Sequence, residues 1–539
     1  RLEGKWLPCY IQKVSSSDQI ALVEFHSDES SEREQVSVNF SDVLPDLNST
    51  QFSELLRSRN TGLDLYREKS RLSNLPPSIR LEQIREINSE LRSRVFPLEV
   101  RDYQVHLSSE PVRMTPPNFY PSHSLREPSI SFSREQLGKE VARGLTSFGA
   151  YERPTANIPV ILMSPSDKMP QLEQLVTSLQ KGSKRFSGFR NTFGTGLEVI
   201  GKYNANFDDY RRTCEHIVPD LAKSPLPIMV AYMPDQGGEW SRVNYSSPYY
   251  QVKHYLLENG VASQGVDQET LGNLEWKDLN LALDIFAKTG HIPWVLDEGL
   301  PLADIFIGLS YSSIRVNSKL ERIIAYVCVF DNFGRWQYYM GNTEPVPFDE
   351  RDARLADLIA EAVEKYSKTA TVSHIHIHHG HKLKFETRQK IAERVQQNVP
   401  NVNVSLLYIN DDNPIRLFSQ VREDQSQVER GTFVRVGDSF KFFLATTGKS
   451  ELQSLHKGTP VIMQANLSYF GTNRPKDMAM YAQHVLSLTR LNWASSRSYS
   501  SQPITLLYSS KVARYMNIFI QAYGSFSLHP SLVSTPWFL

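Results

Sequence analysis

The sequence predicts a soluble α/β protein of several domains. Short apolar runs alternate with amphipathic helical stretches from residue 158 onward. At 539 residues the chain exceeds what one core can organise, and its length suggests roughly three or four domains. No apolar run approaches the ~18 residues that a membrane helix needs, and the N-terminus carries no signal-peptide pattern. Three scattered cysteines (Cys9, Cys214, Cys328) exclude a disulfide framework or a thiolate metal site, so a reducing cytoplasm is the expected compartment. The first residue is Arg rather than Met, as expected of one part of a longer chain.

Residues 1–50 alternate apolar and polar positions in short runs, IALVEF (20–25) and VSVNF (36–40), which predicts a small β-rich unit. After Pro76-Pro77, the helical spacing of Ile84, Ile87, Leu91 and Val95 predicts a helix ending at Pro97. The stretch 109–128 is rich in Pro and Ser and reads as a linker. IPVILMS (158–164) and PIMVAYMP (227–234) follow as strands, each with a helix behind it (171–180 and 249–260). That βαβ rhythm predicts a parallel, Rossmann-like domain, with ligands at the C-terminal strand ends.

A second α/β unit begins near residue 303. IIAYVCVFD (323–331) and RWQYYMG (335–341) read as antiparallel strands joined around NFG. A helix carrying Leu355, Leu358, Ile359, Ala362 and Val363 on one face comes next. Then follow the strand HIHIHH, a helix over 386–397 and the strand VNVSLLYI (402–409). Three meander strands, helix, strand, helix, strand is the order of an RNase H-like fold.

Residues 374–382 hold five of the 14 histidines. In a strand, His374, His376 and His378 share one face while Ile375 and Ile377 take the other. Three imidazoles on one face suit zinc, and H-x-H-x-H-H resembles the metallo-β-lactamase signature H-x-H-x-D-H, with His378 standing where Asp belongs. A metal-dependent hydrolase built on His374, His376, His378 and His379 is one reading. The structural reading is a half-buried strand whose imidazoles bond to neighbouring groups.

A second constellation is quieter. Tyr249 and Lys253 are four residues apart and share a helix face; Gln264 and Lys288 fall beside the same predicted sheet. Two ammonium groups, an amide and a stacking ring form a pocket for a terminal phosphate with its first base on the tyrosine. Burying the apolar C-terminus STPWFL would bring the Leu539 carboxylate inside, where it needs a cation or several donors. Although the net charge is zero, residues 451–539 carry seven basic residues (Lys457, Arg474, Lys476, Arg490, Arg497, Lys511, Arg514) against Glu451 and Asp477. This segment reads either as a polyanion-binding face or as a solvated surface balanced elsewhere.

LTRLNWASSRSYSSQPITLLYSSKVAR (488–514) resembles the PIWI-domain pattern Leu-Asn-Trp, small residue, Arg, then Pro-x-Thr-x-x-Tyr. GTPVIMQANLSYF (458–470) is similar to the preceding strand region, the PWFL ending to that of short prokaryotic Argonautes, and RGLTSFGAYERP (143–154) to their entry into the MID domain. The resemblance implies an inactive short Argonaute: an N-terminal α+β APAZ-like region (1–125), a Rossmann-like MID domain (126–300) and an RNase H-like PIWI domain (301–539). A Tudor-like barrel is the alternative for the N-terminal part, and a non-enzymatic interaction scaffold with such an N-terminus is the alternative for the whole chain.

The resemblance further implies that Tyr249, Lys253, Gln264 and Lys288 bind the guide 5′-phosphate, with the Leu539 carboxylate joining that phosphate on Mg2+. PIWI slicers need carboxylates holding two cations about 4 Å apart. The matching positions here are Ser310, His379 and Ser510, with Glu344 only a nominal glutamate finger. The implied function is RNA-guided recognition of complementary single-stranded DNA, in defence against plasmids or phages. The chain itself would not be an enzyme. It would activate an effector upstream or on a partner, most like the sirtuin-type NADase.

Overall fold

The computed structural model describes residues 10–15, 20–26, 33–39, 74–100, 103–122, 125–221, 226–234, 247–316, 319–420, 426–452, 458–472 and 477–539. The chain divides into two compact units, Arg1–Leu72 with Glu239–Arg242, and Ser73–Gly238 with Val243–Leu539. The first is an antiparallel meander of β1 (Tyr10–Ser15), β2 (Ile20–His26) and β3 (Arg33–Asn39), as the alternation in 20–25 and 36–40 predicts. Cys9 lies outside the described residues.

The larger unit opens with α1 (Pro77–Arg94), which starts on a proline whose missing N–H costs nothing in the first turn. Ile84, Ile87 and Leu91 lie along this helix at the expected spacing, but they are exposed. β4 (Leu98–Val100) and β5 (Tyr103–Val105) form a hairpin. The expected linker is not all linker. β6 (Phe119–Ser122) pairs antiparallel with β20 (Phe433–Val436) and ends the largest sheet. Pro121 is tolerated there because an edge strand has one side free of ladder bonds.

β7 (Ile130–Ser131), β8 (Leu137–Gly138) and α2 (Val141–Phe148) lead into the first α/β region. That region runs β9 (Ile158–Ser164), α3 (Met169–Lys181), β10 (Leu197–Asn204), α4 (Tyr210–Leu221), β11 (Ile228–Tyr232), α5 (Pro248–Glu258), β12 (Ala262–Val266) and α6 (Leu274–Lys288). Its four strands are parallel in the order β10-β9-β11-β12. β9 and β11 are buried at every position, which is why their sequences are unbroken apolar runs rather than alternating ones. β13 (Val295–Leu296) returns to pair with β7.

The second region holds β14 (Ile305–Val316), β15 (Lys319–Asp331), β16 (Trp336–Gly341), β17 (Val346–Pro347), α7 (Arg351–Ser367), β18 (His374–His379), α8 (Phe385–Asn398) and β19 (Asn403–Asn410). After β20 come β21 (Lys441–Ala445), β22 (Ile462–Phe470), α9 (Met478–Leu488) and α10 (Ile504–Tyr523). One ten-stranded mixed sheet runs β16-β15-β14-β18-β19-β22-β21-β20-β6, with β17 beside β15. Its first five strands carry the predicted order: β14 pairs antiparallel with β15 and parallel with β18, and β18 parallel with β19. The turn at Asn332-Phe333-Gly334 uses the positive φ of Gly334.

Ile305, Ile307, Ile375 and Ile377 pack on one face of this sheet against Leu355, Leu358, Ile359 and Val363 of α7. α10 covers the other face so closely that a Cβ on Gly308 would meet the Thr505 carbonyl oxygen at 2.0 Å. Among the described residues no helix is long and apolar enough to cross a membrane.

Candidate functional site

Four elements and the chain's end converge on one buried cluster of side chains, the pocket expected from the sequence. α5 presents Tyr249 and Lys253 one turn apart. Lys253 is only 1% exposed; its Nζ donates to the Trp537 carbonyl at 3.4 Å and stands 4.8 Å from the centre of the Tyr515 ring. The Tyr249 hydroxyl meets that of Tyr515 at 2.9 Å. β12 supplies Gln264, whose Oε1 accepts a 2.6 Å hydrogen bond from Lys288 at the last turn of α6. The terminal Trp537, Phe538 and Leu539 are all buried, as the apolar ending predicts. All four side chains expected to gather here do so, around the tail that ends in Leu539.

The pocket also contains two charges the sequence reading missed. Asp284 sits one turn before Lys288, and Lys511 one turn before Tyr515 on α10. Each shares a helix face with a residue of the pocket, and that four-residue spacing was the available signal. Burial pushes the Lys253 ammonium well below its ordinary pKa, with the neighbouring Lys288 and Lys511 charges adding to the effect. Burial likewise lowers Lys288 to about 8 and moves Lys511 downward, while Asp284 pulls both back up. Asp284 itself is raised by burial and lowered by the three lysines. The arrangement is a cradle of buried ammonium groups, under-supplied with anions and suited to receive one.

The histidine strand is built differently. His376 and His378 share the face predicted for them and pack with Phe306 and His484; His376 also touches Tyr481. His376 Nε2–H donates to the Leu302 carbonyl at 2.7 Å, and His378 Nδ1 meets the Thr505 hydroxyl at 2.9 Å. His379 Nδ1–H donates to the His381 carbonyl at 2.7 Å, while His374 is only half-buried. Desolvation lowers His376 and His379 to about 4, and His378 and His484 well below the usual imidazole value. These are neutral rings in an aromatic box. Among the described residues no three His, Cys, Asp or Glu side chains are placed to hold a metal ion.

Of the positions matched to slicer carboxylates, Ser310 is buried on β14 and His379 is buried at the end of β18, where it pairs in register with Leu309. Ser510 is exposed on α10, and Glu344 is exposed in the loop after β16.

The basic C-terminal segment is not a single face. Arg490 is fully buried and pairs with Glu127 at 3.2 Å, and Arg430 meets the same carboxylate at 2.8 Å. Its charge is spent on an internal ion pair, so a count along the chain overstated the surface potential. Arg497 and Arg514 are exposed, Lys511 lines the pocket, and Lys457, Arg474 and Lys476 lie outside the described residues.

The model of the Piwi domain matches residues 241–521. The protein argonaute of Aquifex aeolicus (strain VF5) is 24% identical over 349 residues, which cover 62% of this chain and 45% of that protein. The chain therefore spans less than half the length of that relative. Among solved structures, Clostridium butyricum Argonaute bound to a guide DNA and a 19-mer target DNA is similar at a TM-score of 0.69, with 14% identity over 92% of this chain and 64% of that one. The A. aeolicus Argonaute structure is similar at 0.58, with 20% identity over 92% of this chain and 63% of that one. With more than half of its length matched by the Piwi model, the chain belongs to the Argonaute family through its Piwi domain.

Proposed function

We propose that this chain holds a guide RNA by its 5′-phosphate and uses it to recognise complementary single-stranded DNA without cutting it. The observation that carries the reading is the convergence of Lys253, Lys288 and Lys511 with Gln264 and Tyr249 in one buried cluster. Buried ammonium groups held below their ordinary pKa regain full charge when an anion arrives, and a phosphate monoester brings nearly two charges and three acceptor oxygens. The Clostridium relative was solved with guide and target DNA, which supports guide use in a chain of this fold.

In this reading residues 126–300 act as the MID domain, 301–539 as PIWI and 1–125 as the APAZ-like region. The Lys253 and Lys288 ammonium groups and the Gln264 amide fix the phosphate, and Tyr249 orients the first base. The tail fits a magnesium site in its donor chemistry: one carboxylate, at Leu539, beside phosphate oxygens is a hard oxygen set. Bound there, Mg2+ would offset the repulsion between that carboxylate and the phosphate.

Target cleavage is not expected, because Ser310, His379 and Ser510 supply no carboxylate for a pair of metal ions. The output proposed is activation of an effector of the sirtuin-like NADase type, upstream in the chain or on a partner, in cytoplasmic defence against invading DNA.

The test is binding of single-stranded RNA carrying a 5′-phosphate or a 5′-hydroxyl, with and without Mg2+. A strong, magnesium-dependent preference for the phosphate is expected. Equal affinities would remove the pocket assignment.

A further inference from the structure

Trp276 stands in the first turn of α6 and is 65% exposed, although tryptophan is on average a well-buried residue. The Arg185 guanidinium lies over one face of its ring, 3.5 Å from the centre. With one face covered and the side chain still mostly in water, the opposite face of the ring is bare.

Arg185 is delivered by a turn that the chain holds in one shape. The Ser183 N–H donates to the Phe186 carbonyl at 2.7 Å, and the Arg185 N–H to the Ser183 hydroxyl at 3.2 Å. Phe186 is buried and packs on Phe193, which anchors the turn in the core. Gly182, at φ +83°, closes the turn so tightly that a Cβ there would meet the Phe186 carbonyl oxygen at 2.3 Å. The stack of arginine on tryptophan is thus set before any ligand arrives, and ordering it costs a ligand little.

Charge points to the class of ligand. KGSKRFSGFR (181–190) carries Lys181, Lys184, Arg185 and Arg190 without an acid, and Lys181, Lys184 and Arg185 are exposed. On the side of Trp276, Glu269 is paired with Lys277 at 2.7 Å, which leaves Glu275 as the acid beside the ring in sequence. The core of a protein interface is depleted in lysine. An aromatic face backed by arginine, with cations alongside for the backbone, is instead the pattern that binds single-stranded nucleic acid.

Place points to the same ligand. Trp276, Asn280, Asp284 and Lys288 follow one another at four-residue steps and form one ridge along α6. Trp276 opens the ridge and Lys288, in the buried cluster, closes it, about 18 Å further on. At about 3.4 Å per stacked nucleotide, that is a strand of about five nucleotides.

We propose that Trp276 and Arg185 form a second stacking site for the strand whose 5′ end the pocket holds. A base about five nucleotides in stacks on the open face of Trp276, and Lys181 and Lys184 take the adjoining phosphates. The register rests on the reading that the pocket receives a 5′-phosphate. The stacking rests on the exposed ring, its arginine and the acid-free turn.

The experiment measures the affinity of the full chain, Trp276→Ala and Trp276→Phe for 5′-phosphorylated single-stranded RNA of ~4 and ~20 nucleotides. Trp276→Ala should weaken the longer RNA by roughly five- to a hundred-fold, while the shorter RNA and the preference for 5′-phosphate over 5′-hydroxyl stay unchanged. Trp276→Phe should keep most of the affinity. An equal loss on both lengths would mark a structural fault in α6 and overturn the proposal, as would no loss on either.

An abasic site moved along the longer RNA gives a second readout. In the parent chain one position about five nucleotides in should cost affinity, and in Trp276→Ala that cost should disappear. A cost that survives the substitution, or none at any position, overturns the proposal. Intact phosphate preference with no effect of Trp276→Ala sinks the stacking site and spares the guide reading. Length-dependent loss in a chain without phosphate preference sinks the guide reading and leaves the stacking site standing.

Discussion

Lys253 and His378 are equally inaccessible, at 1% and 0% exposure, and desolvation holds each well below its ordinary pKa, yet their surroundings differ in kind. Lys253 faces two more lysines, a carboxylate and a backbone carbonyl. His378 faces Phe306, one threonine hydroxyl and other uncharged imidazoles. The first cluster stores charge that an anion can call out. The second has given its charge up and uses the rings as packing, with His378 Nε2, His379 Nε2 and both nitrogens of His484 left without hydrogen-bond partners. A run of histidines in a strand and a scatter of lysines over three helices thus carry opposite chemical weight, and it is the scatter that the proposed function uses.

The harshest way to break that contrast is to force charge into the histidine strand. His379→Asp places a carboxylate at a buried position where the cation within electrostatic reach, Arg388, already donates to Ser468, and an under-compensated buried charge costs up to about 3–5 kcal/mol. Thermal unfolding of the variant should shift markedly downward, with no recovery on adding Mg2+ or Mn2+. A variant as stable as the parent, or one rescued by metal, would mean that this end of the sheet still admits the charges of a slicer centre.

The converse change removes charge from the pocket. Lys253→Met keeps most of the side-chain volume while deleting the ammonium group that stands over the Tyr515 ring. A hydrogen bond to a charged group is worth about 1.5–3 kcal/mol, so the preference for 5′-phosphate over 5′-hydroxyl RNA should fall by roughly ten- to a hundred-fold. The melting temperature should hold or rise, because a buried lysine pays a desolvation cost in the free protein. An unchanged preference would show that the contrast between the two clusters has no functional meaning.

Much of this was legible in the sequence where burial leaves a two-sided or periodic pattern. IPVILMS lies wholly within β9, and the helix expected over 386–397 spans Phe385–Asn398. β10 escaped because an edge strand buried only at Leu197 reads as polar loop. β6 escaped because its proline reads as a breaker, although an edge strand tolerates one. The Ile84, Ile87 and Leu91 stripe was read correctly as helix, but periodicity does not say what covers it, and these residues are exposed. In the pocket, Tyr249, Lys253, Gln264 and Lys288 were found together, since three of them lie on helices flanking one sheet. Asp284 and Lys511 were not, because an acid and a base four or more positions from a motif residue look like ordinary surface charge until the fold removes the water. Arg490 failed for the opposite reason: its partner, Glu127, is distant in sequence.

Acid pH sharpens the comparison from the side of stability. An unfolded imidazole titrates near ~6.5, while His376 and His379 in the folded chain titrate at about 4. Between those values the unfolded state binds more protons. The stabilisation is therefore complete above the unfolded value and is lost as the pH falls towards 4, at up to about 1.4 kcal/mol per pH unit for each histidine. His376→Phe should flatten the decline in melting temperature between about pH 6.5 and pH 5. An equally steep decline would place the acid sensitivity elsewhere in the chain.

The smallest change asks which part of Tyr249 matters. Tyr249→Phe deletes the 2.9 Å hydroxyl contact with Tyr515, a loss of about 1 kcal/mol at most if the Tyr515 hydroxyl finds no other partner. The ring that the proposed first base would stack on is kept. Phosphate preference should therefore stay within a few-fold of the parent, whereas Tyr249→Ala should lose the contribution of the ring. If Phe proves as damaging as Ala, the hydroxyl pair and not the aromatic face holds the guide end, and Tyr249 belongs with Lys253 and Lys288 as a polar contact rather than as the base's platform.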